Sequence, residues 1–268
     1  MSMDAWRAVA YLARMAAVGK IVLVTGGGSG IGRATAELFA VRGAAAVVVV
    51  DRTDTGEYSG PETVELIRKA GGTALFVRAD VAVEAEVEAA VAATLAEYGR
   101  LDAAVNCAGV AGTGAKIGDT SLEDWNRVLG VNLTGVFLSL KHEIRAMLPN
   151  KAGTIVSIAS AAGLVAVPYL SPYCSSKHGV LGLTKTAARE YRNSGLRINA
   201  ICPGVVDTPM IRTSAEERPA VNMQARENTG GFVGQPEQIA AAAVWLCSDE
   251  ASFVNGESMV VDGGTITR

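Results

Sequence analysis

The chain has 268 residues, 49% hydrophobic but only 5% aromatic, so Ala, Val, Leu and Ile must supply most of its buried volume. Lys and Arg number 24 against 27 Asp and Glu, a net charge of −3, which lacks the basic footprint of a nucleic-acid binder. The four cysteines, Cys107, Cys174, Cys202 and Cys247, include no C-x-x-C pair, and the histidines His142 and His178 lie far apart, so no metal site is expected. A reduced, cytoplasmic protein is the simple expectation.

The first eighteen residues are Ala-rich, but Asp4, Arg7 and Arg14 interrupt them. That leaves no uncharged core for a secretory signal and too little apolar length to span a bilayer. Residues 1–18 are therefore read as a short helical extension, and residues 19–268 as one domain. Ile21 to Thr25 is a β-branched strand, followed by a glycine cluster and a helix from about Ile31 to Arg42. Ala46–Val50 is a second strand, closed by Asp51. A helix over Pro61–Ala70, a strand over Thr73–Arg78, a helix over Glu84–Tyr98 and a strand over Leu101–Asn106 continue the alternation. Ser121 to Met147 reads as one long helix, Gly153–Ala159 as a strand, Pro172–Asn193 as a helix and Leu196–Ile201 as a strand. Asp207 to Gly234 reads as irregular, Pro236–Ser248 as a helix and Glu257–Val261 as the last strand. This alternation predicts an α/β fold, a Rossmann-type doubly wound parallel sheet, with no repeats and no membrane span. All-apolar strands such as Val47–Val50 suit a sheet covered on both faces.

Thr25-Gly26-Gly27-Gly28-Ser29-Gly30-Ile31-Gly32 stands between the first strand and its helix, where a dinucleotide fold places its pyrophosphate. Glycines let the backbone approach the phosphates, and the helix N-terminus supplies free N–H donors. Asp51 ends the second strand, where an acid accepts hydrogen bonds from the adenosine ribose and repels a 2′-phosphate. Arg52 beside it could instead pair with that phosphate. Tyr173 and Lys177, four apart on a predicted helix, share one face.

The Gly-x-x-x-Gly-x-Gly spacing resembles the short-chain dehydrogenase/reductase family, and five further patterns follow in the family's order. Asn106-Cys107-Ala108-Gly109 resembles its Asn-Asn-Ala-Gly element. Asn132 in Val-Asn-Leu matches its helix asparagine. Ser160 stands 13 residues before Tyr173 of the Tyr-x-x-x-Lys pattern. Pro203-Gly204, with Val206 and Thr208 behind them, matches its cofactor segment, and Asp262-Gly263-Gly264 its C-terminal signature. The similarity runs from about Gly19 to the end and is strongest to members acting on secondary, often cyclic, alcohols.

The resemblance implies a catalytic set of Asn132, Ser160, Tyr173 and Lys177. A free Tyr has a pKa of about 10, and a neighbouring Lys⁺ would favour its phenolate. Lys177 would also hold the nicotinamide ribose, Ser160 the substrate oxygen, Asn132 a water leading to Lys177, and Thr208 the carboxamide. Asp80 and Val81, after the third strand, resemble the segment that contacts adenine, although Asp80 could equally be a helix N-cap. The cofactor segments are thus Thr25, Gly26, Ser29, Gly30, Ile31 and Gly32; Asp51, Arg52, Asp80 and Val81; Asn106, Ala108 and Gly109; Tyr173 and Lys177; and Pro203, Gly204, Val206 and Thr208. Asp51, and the neutral Ser29 where NADP-preferring relatives often carry a base, point to NAD. Ser157 is a weaker candidate than Ser160.

These readings predict an oxidoreductase moving a hydride between NAD(H) and a neutral, apolar or cyclic secondary alcohol or ketone. The alternatives are an NADPH-dependent reductase of 3-oxoacyl chains on a carrier protein and a non-catalytic dinucleotide sensor. The uncharged runs after Ser160 and Gly109, with Leu164, Val165, Val167, Met210 and Ile211, suggest an apolar pocket. The family, and Ala/Leu-rich helices over Val180–Ala188 and Ile239–Leu246, imply a homotetramer, which its mass in solution tests.

Overall fold

A computed structural model describes residues 17–217 and 232–267. The Val- and Ile-rich runs lie side by side as β1 (Ile21–Thr25), β2 (Ala46–Asp51), β3 (Ala74–Arg78), β4 (Ala103–Asn106), β5 (Gly153–Ile158), β6 (Leu196–Pro203) and β7 (Ser258–Val261). They form one parallel sheet in the order β3-β2-β1-β4-β5-β6-β7. Val22 stands opposite both Val47 and Ala103, which sets the register at the centre.

Eight α-helices accompany these strands among the described residues: α1 (Gly30–Val41), α2 (Gly60–Lys69), α3 (Glu84–Tyr98), α4 (Leu122–Leu129), α5 (Gly135–Met147), α6 (Ser171–Glu190), α7 (Pro209–Glu217) and α8 (Pro236–Leu246). Strand side chains alternate between two cores. Val22, Val24, Val47 and Val49 pack with Phe39 of α1, Ile67 of α2 and Ile239 of α8. Leu23, Val48 and Val50 pack on the opposite face with Val91 of α3, Leu140 of α5 and Val180 of α6. Because both faces are covered, the strands needed no polar alternation, and short apolar runs sufficed.

Two segments differ from the sequence expectation. The long helix predicted over Ser121–Met147 is broken by a π-helical turn over Gly130–Thr134. Apolar periodicity does not register one widened turn. Asp207–Gly234 is not all irregular, since α7 begins with Pro209 in the first-turn position that proline tolerates. The expected N-terminal helix falls on residues 1–18, of which 1–16 lie outside the described residues. Ala17 is buried, and its N–H donates to Arg42 O at 3.2 Å. No helix of the described residues is long and apolar enough to cross a membrane.

The strand order reverses direction between β1 and β4, which opens a crevice at their carboxyl ends. Packing there is tight, because a Cβ added at Gly32 would stand 2.1 Å from Gly26 O. Gly32→Ala is expected to lower stability by about 1–3 kcal/mol through overpacking. Thermal melting checks this, and an unchanged midpoint would contradict the contact.

Candidate active site and dinucleotide cleft

The glycine turn is built by close backbone approach. Gly26 has φ +64°, and a Cβ there would lie 2.7 Å from both N and Cα of Ala108. Gly30 has φ +49°, and its Cβ position is 3.1 Å from Thr208 Cγ2. Ser29 caps α1 in extended conformation without a side-chain capping bond, and no acid stands in the first turn. The positive end of α1 is therefore uncompensated, which suits an anion.

Three side chains hold the turn from behind. Asp51 Oδ2 accepts from Gly28 N at 2.9 Å, and Thr63 Oγ1 donates to Gly27 O at 2.9 Å. The Arg33 guanidinium donates to Gly28 O at 2.8 Å and to Glu62 at 2.6 Å. Asp51 Oδ1 accepts from Thr53 N at 3.0 Å, which leaves each carboxylate oxygen a lone pair toward solvent. Arg52 is exposed.

Across the cleft, α6 carries Tyr173 and Lys177, and Ser160 sits just beyond β5. Ser160 Oγ accepts from Ala162 N at 3.1 Å. Lys177 is buried, and its Nζ donates to Ile158 O at 2.8 Å while standing 5.5 Å from the Tyr173 ring centroid. Asn132, wholly buried in the π turn, accepts from Val110 N at 2.8 Å and donates to Val110 O at 2.9 Å and Ser176 Oγ at 3.3 Å. A Cβ on Gly109 would lie 3.4 Å from Asn132 Oδ1 and 3.8 Å from Lys177 Nζ, so Gly109 lets these groups crowd together.

Burial governs the titration of these groups. It raises the Tyr173 phenol above its ordinary value, and a hydrogen bond with Ser160 pulls the other way without winning. It draws Lys177 down to about 8 and pushes the Cys107 thiol up to about 12. Desolvation therefore works against the phenolate that Lys177 is expected to favour.

One cleft brings together Gly26 and Ser29–Gly32, then Ala108 and Gly109, then Ser160 with Tyr173 and Lys177, and finally Pro203, Gly204, Val206 and Thr208. Met210 and Ile211 of α7 line it too. The remaining expected residues stand behind or beside it. Thr25 Oγ1 accepts from Cys107 N at 3.2 Å and Ala108 N at 3.4 Å, bracing the floor. Asp80 Oδ1 accepts from Ala82 N at 2.9 Å, and Val83 rather than Asp80 caps α3. Val81 packs with Val87, Leu138 and Ala108. The Asn106 amide points away from the cleft and donates to Glu143 Oε2 at 2.9 Å. Ser157 is fully buried, so Ser160 is the hydroxyl that reaches the cleft. Sequence reasoning missed Arg33, Thr63 and Glu143, whose contacts join elements 29 to 37 residues apart and leave no local pattern.

The described residues contain no group of three or more His, Cys, Asp or Glu able to hold a metal. A nicotinamide dinucleotide does fit them: an uncapped helix end, a glycine turn that no Cβ would enter, and a buried ammonium beside a phenol.

Comparison with known proteins agrees. A family model described as enoyl-(acyl carrier protein) reductase matches residues 26–266. A 2,5-dichloro-2,5-cyclohexadiene-1,4-diol dehydrogenase of Sphingobium indicum is 42% identical over 92% of this chain and 96% of its own length. A cyclohexanol dehydrogenase of an Acinetobacter species is 41% identical over 93% of this chain and 96% of its own. The structure of a short-chain type dehydrogenase/reductase from Mycobacterium marinum superposes with a TM-score of 0.88 at 31% identity, covering 96% of this chain and 99% of that one. The chain belongs to the short-chain dehydrogenase/reductase family of oxidoreductases.

Proposed function

We propose that the protein is an NAD(H)-dependent dehydrogenase of neutral, mostly apolar, cyclic secondary alcohols, also able to reduce the matching ketones. The observation that carries this reading is the meeting of Tyr173, Ser160 and Lys177 with the glycine turn in one cleft. A bound nicotinamide dinucleotide supplies the carbon that takes or gives the hydride. Tyr173 Oη takes the alcohol proton during oxidation and returns it during reduction. Ser160 Oγ donates to the substrate oxygen as its charge develops. Lys177 anchors the nicotinamide ribose and, fixed on Ile158 O, keeps its charge beside the phenol. The bonds of the Asn132 carboxamide to Val110 and Ser176 support a positioning role beside the water-holding one that the family resemblance implies. Thr208, which lines the cleft with Pro203, Gly204 and Val206, would take the carboxamide.

Substrate polarity follows from what the cations are doing. Arg212, the first charge after the apolar Met210 and Ile211, is held by both oxygens of Asp207 at 2.9 and 3.1 Å. It is thus already engaged by an acid. The relatives named for cyclohexanol and for a cyclohexadienediol support a ring substrate. The experiment is a comparison of kcat/KM for cyclohexanol-like alcohols against hydroxy acids and sugar phosphates. A preference for the anions by more than about tenfold, roughly 1.4 kcal/mol, would overturn the apolar assignment.

Tyr173→Phe should abolish nearly all turnover while NADH binding stays within a few-fold, since the hydroxyl serves proton transfer. Because burial holds the Tyr173 proton on, alcohol oxidation should accelerate and ketone reduction slow as pH rises toward about 8, with the gain levelling off beyond it as Lys177 loses its charge. A flat pH profile, or wild-type turnover in Tyr173→Phe, would end this mechanism.

NAD(H) should be preferred over NADP(H) by more than about tenfold, because a 2′-phosphate against the Asp51 carboxylate meets like charge. Arg33, the base nearest the turn, is spent on Gly28 O and Glu62, which leaves Arg52 as the counterweight. Asp51→Ser should narrow or reverse the preference. Equal kcat/KM for the two cofactors in the unmutated enzyme would contradict the reading of Asp51.

A further inference from the structure

Beneath the floor of the cleft lies a polar cluster for which the proposed reaction has no use. Asn106 ends β4, Ser157 stands opposite it on β5, and Glu143 reaches the same face of the sheet from α5. Their exposures are 2%, 0% and 0%. One hydrogen bond joins them, Asn106 Nδ2 donating to Glu143 Oε2 at 2.9 Å. Glu143 Oε1, Asn106 Oδ1 and Ser157 Oγ are all buried and without a partner. No Lys, Arg or His among the described residues forms an ion pair with Glu143.

An ionised carboxylate in that setting would keep a buried charge on a single neutral hydrogen bond, which is costly. Its Oε1 and the Asn106 Oδ1 would then both be acceptors with nothing to accept. A proton on Oε1 removes both defects at once, because Oε1–H becomes a donor and Asn106 Oδ1 its acceptor. Burial drives the Glu143 carboxyl up to about 7, against the pull of the Asn106 amide, in the same direction as the geometry.

We propose that Glu143 is carried as the neutral acid in a reciprocal acid–amide pair with Asn106, and that this pair is a positioning device for the dinucleotide cleft. The residues after Asn106 show how. Cys107 N donates to Thr25 O at 3.2 Å, and Ala108 lies against Gly26 where not even a Cβ fits. A shift of the end of β4 therefore moves the glycine turn with it. The inference rests on the dinucleotide reading of the cleft, but not on the identity of the alcohol.

Infrared spectra and NADH titrations of the wild type, Glu143→Gln and Glu143→Leu test it together. The wild type should show the carbonyl stretch of a buried protonated acid, shifted in heavy water and missing from Glu143→Gln. Glu143→Gln, which keeps one donor and one acceptor toward Asn106, should bind NADH within about twofold of the wild type. Glu143→Leu strands the Asn106 amide and should bind about tenfold more weakly. Absence of the acid band at neutral pH overturns the proposal. So does a Leu variant that melts lower yet binds NADH normally, which is what a purely structural role predicts. If Glu143→Leu does not fold, the Gln variant still decides, since weak binding there would mean the charged form is required. A wild type that binds no dinucleotide would sink the cofactor reading as well, whereas binding without alcohol turnover would count only against the substrate.

Discussion

The approach of Gly26 to Ala108 is the constraint on which the site depends. Two turns, one after β1 and one after β4, meet with only 2.7 Å between a hypothetical Gly26 Cβ and the Ala108 backbone. This contact lies where the sheet reverses its winding, so it joins the two halves of the fold as well as the two halves of the cleft. Thr25 Oγ1, accepting from Cys107 N and Ala108 N, fixes the same junction from within the sheet. Everything that would touch a dinucleotide is measured from this point: the N-terminus of α1 on one side, and Gly109, which admits Asn132 and Lys177, on the other.

Burial is the second organising force, and it cuts against simple intuition about charge. Lys177 is nearly inaccessible, and its ammonium rests on one carbonyl, that of Ile158. The cost of desolvation draws its pKa toward neutrality and raises that of Tyr173 at the same time. Burial thus holds the proton on Tyr173 and leaves Lys177 mostly charged at neutral pH, the forms in which the phenol could donate to a substrate oxygen. The same desolvation pushes the Cys107 thiol, in the wall of the cleft, away from the thiolate form.

Much of this was legible in the sequence, for identifiable reasons. Strands such as Val47–Val50 and helices such as Glu84–Tyr98 obey local patterns, and six short motifs fell on the ends of the right elements. Backbone-determined features survived best: Gly26, Gly30 and Gly32 are required by φ or by space, and both demands leave a glycine behind. What sequence could not reveal was long-range side-chain partnership. Arg33 bridging from the turn to Glu62, Asn106 turning down toward Glu143, and Asn132 bonding Val110 each join residues far apart in the chain. The π turn over Gly130–Thr134 was hidden because one widened turn barely disturbs the apolar stripe on either side. Helix α7 was hidden because only Met210 and Ile211 near its start are large and apolar, too few to set a helical period, and its start is marked by proline alone.

The central claim is that one cleft holds the dinucleotide and the alcohol so that Tyr173 and the hydride acceptor flank the same carbon. A crystal structure with NADH and a cyclohexanone-like ketone tests it most directly. The account predicts pyrophosphate density over the Gly26–Gly32 turn, ribose hydroxyls on Asp51, and the ketone oxygen between Tyr173 Oη and Ser160 Oγ. Dinucleotide density elsewhere on the molecule, or a ketone held away from Tyr173 beside a correctly seated cofactor, would contradict it.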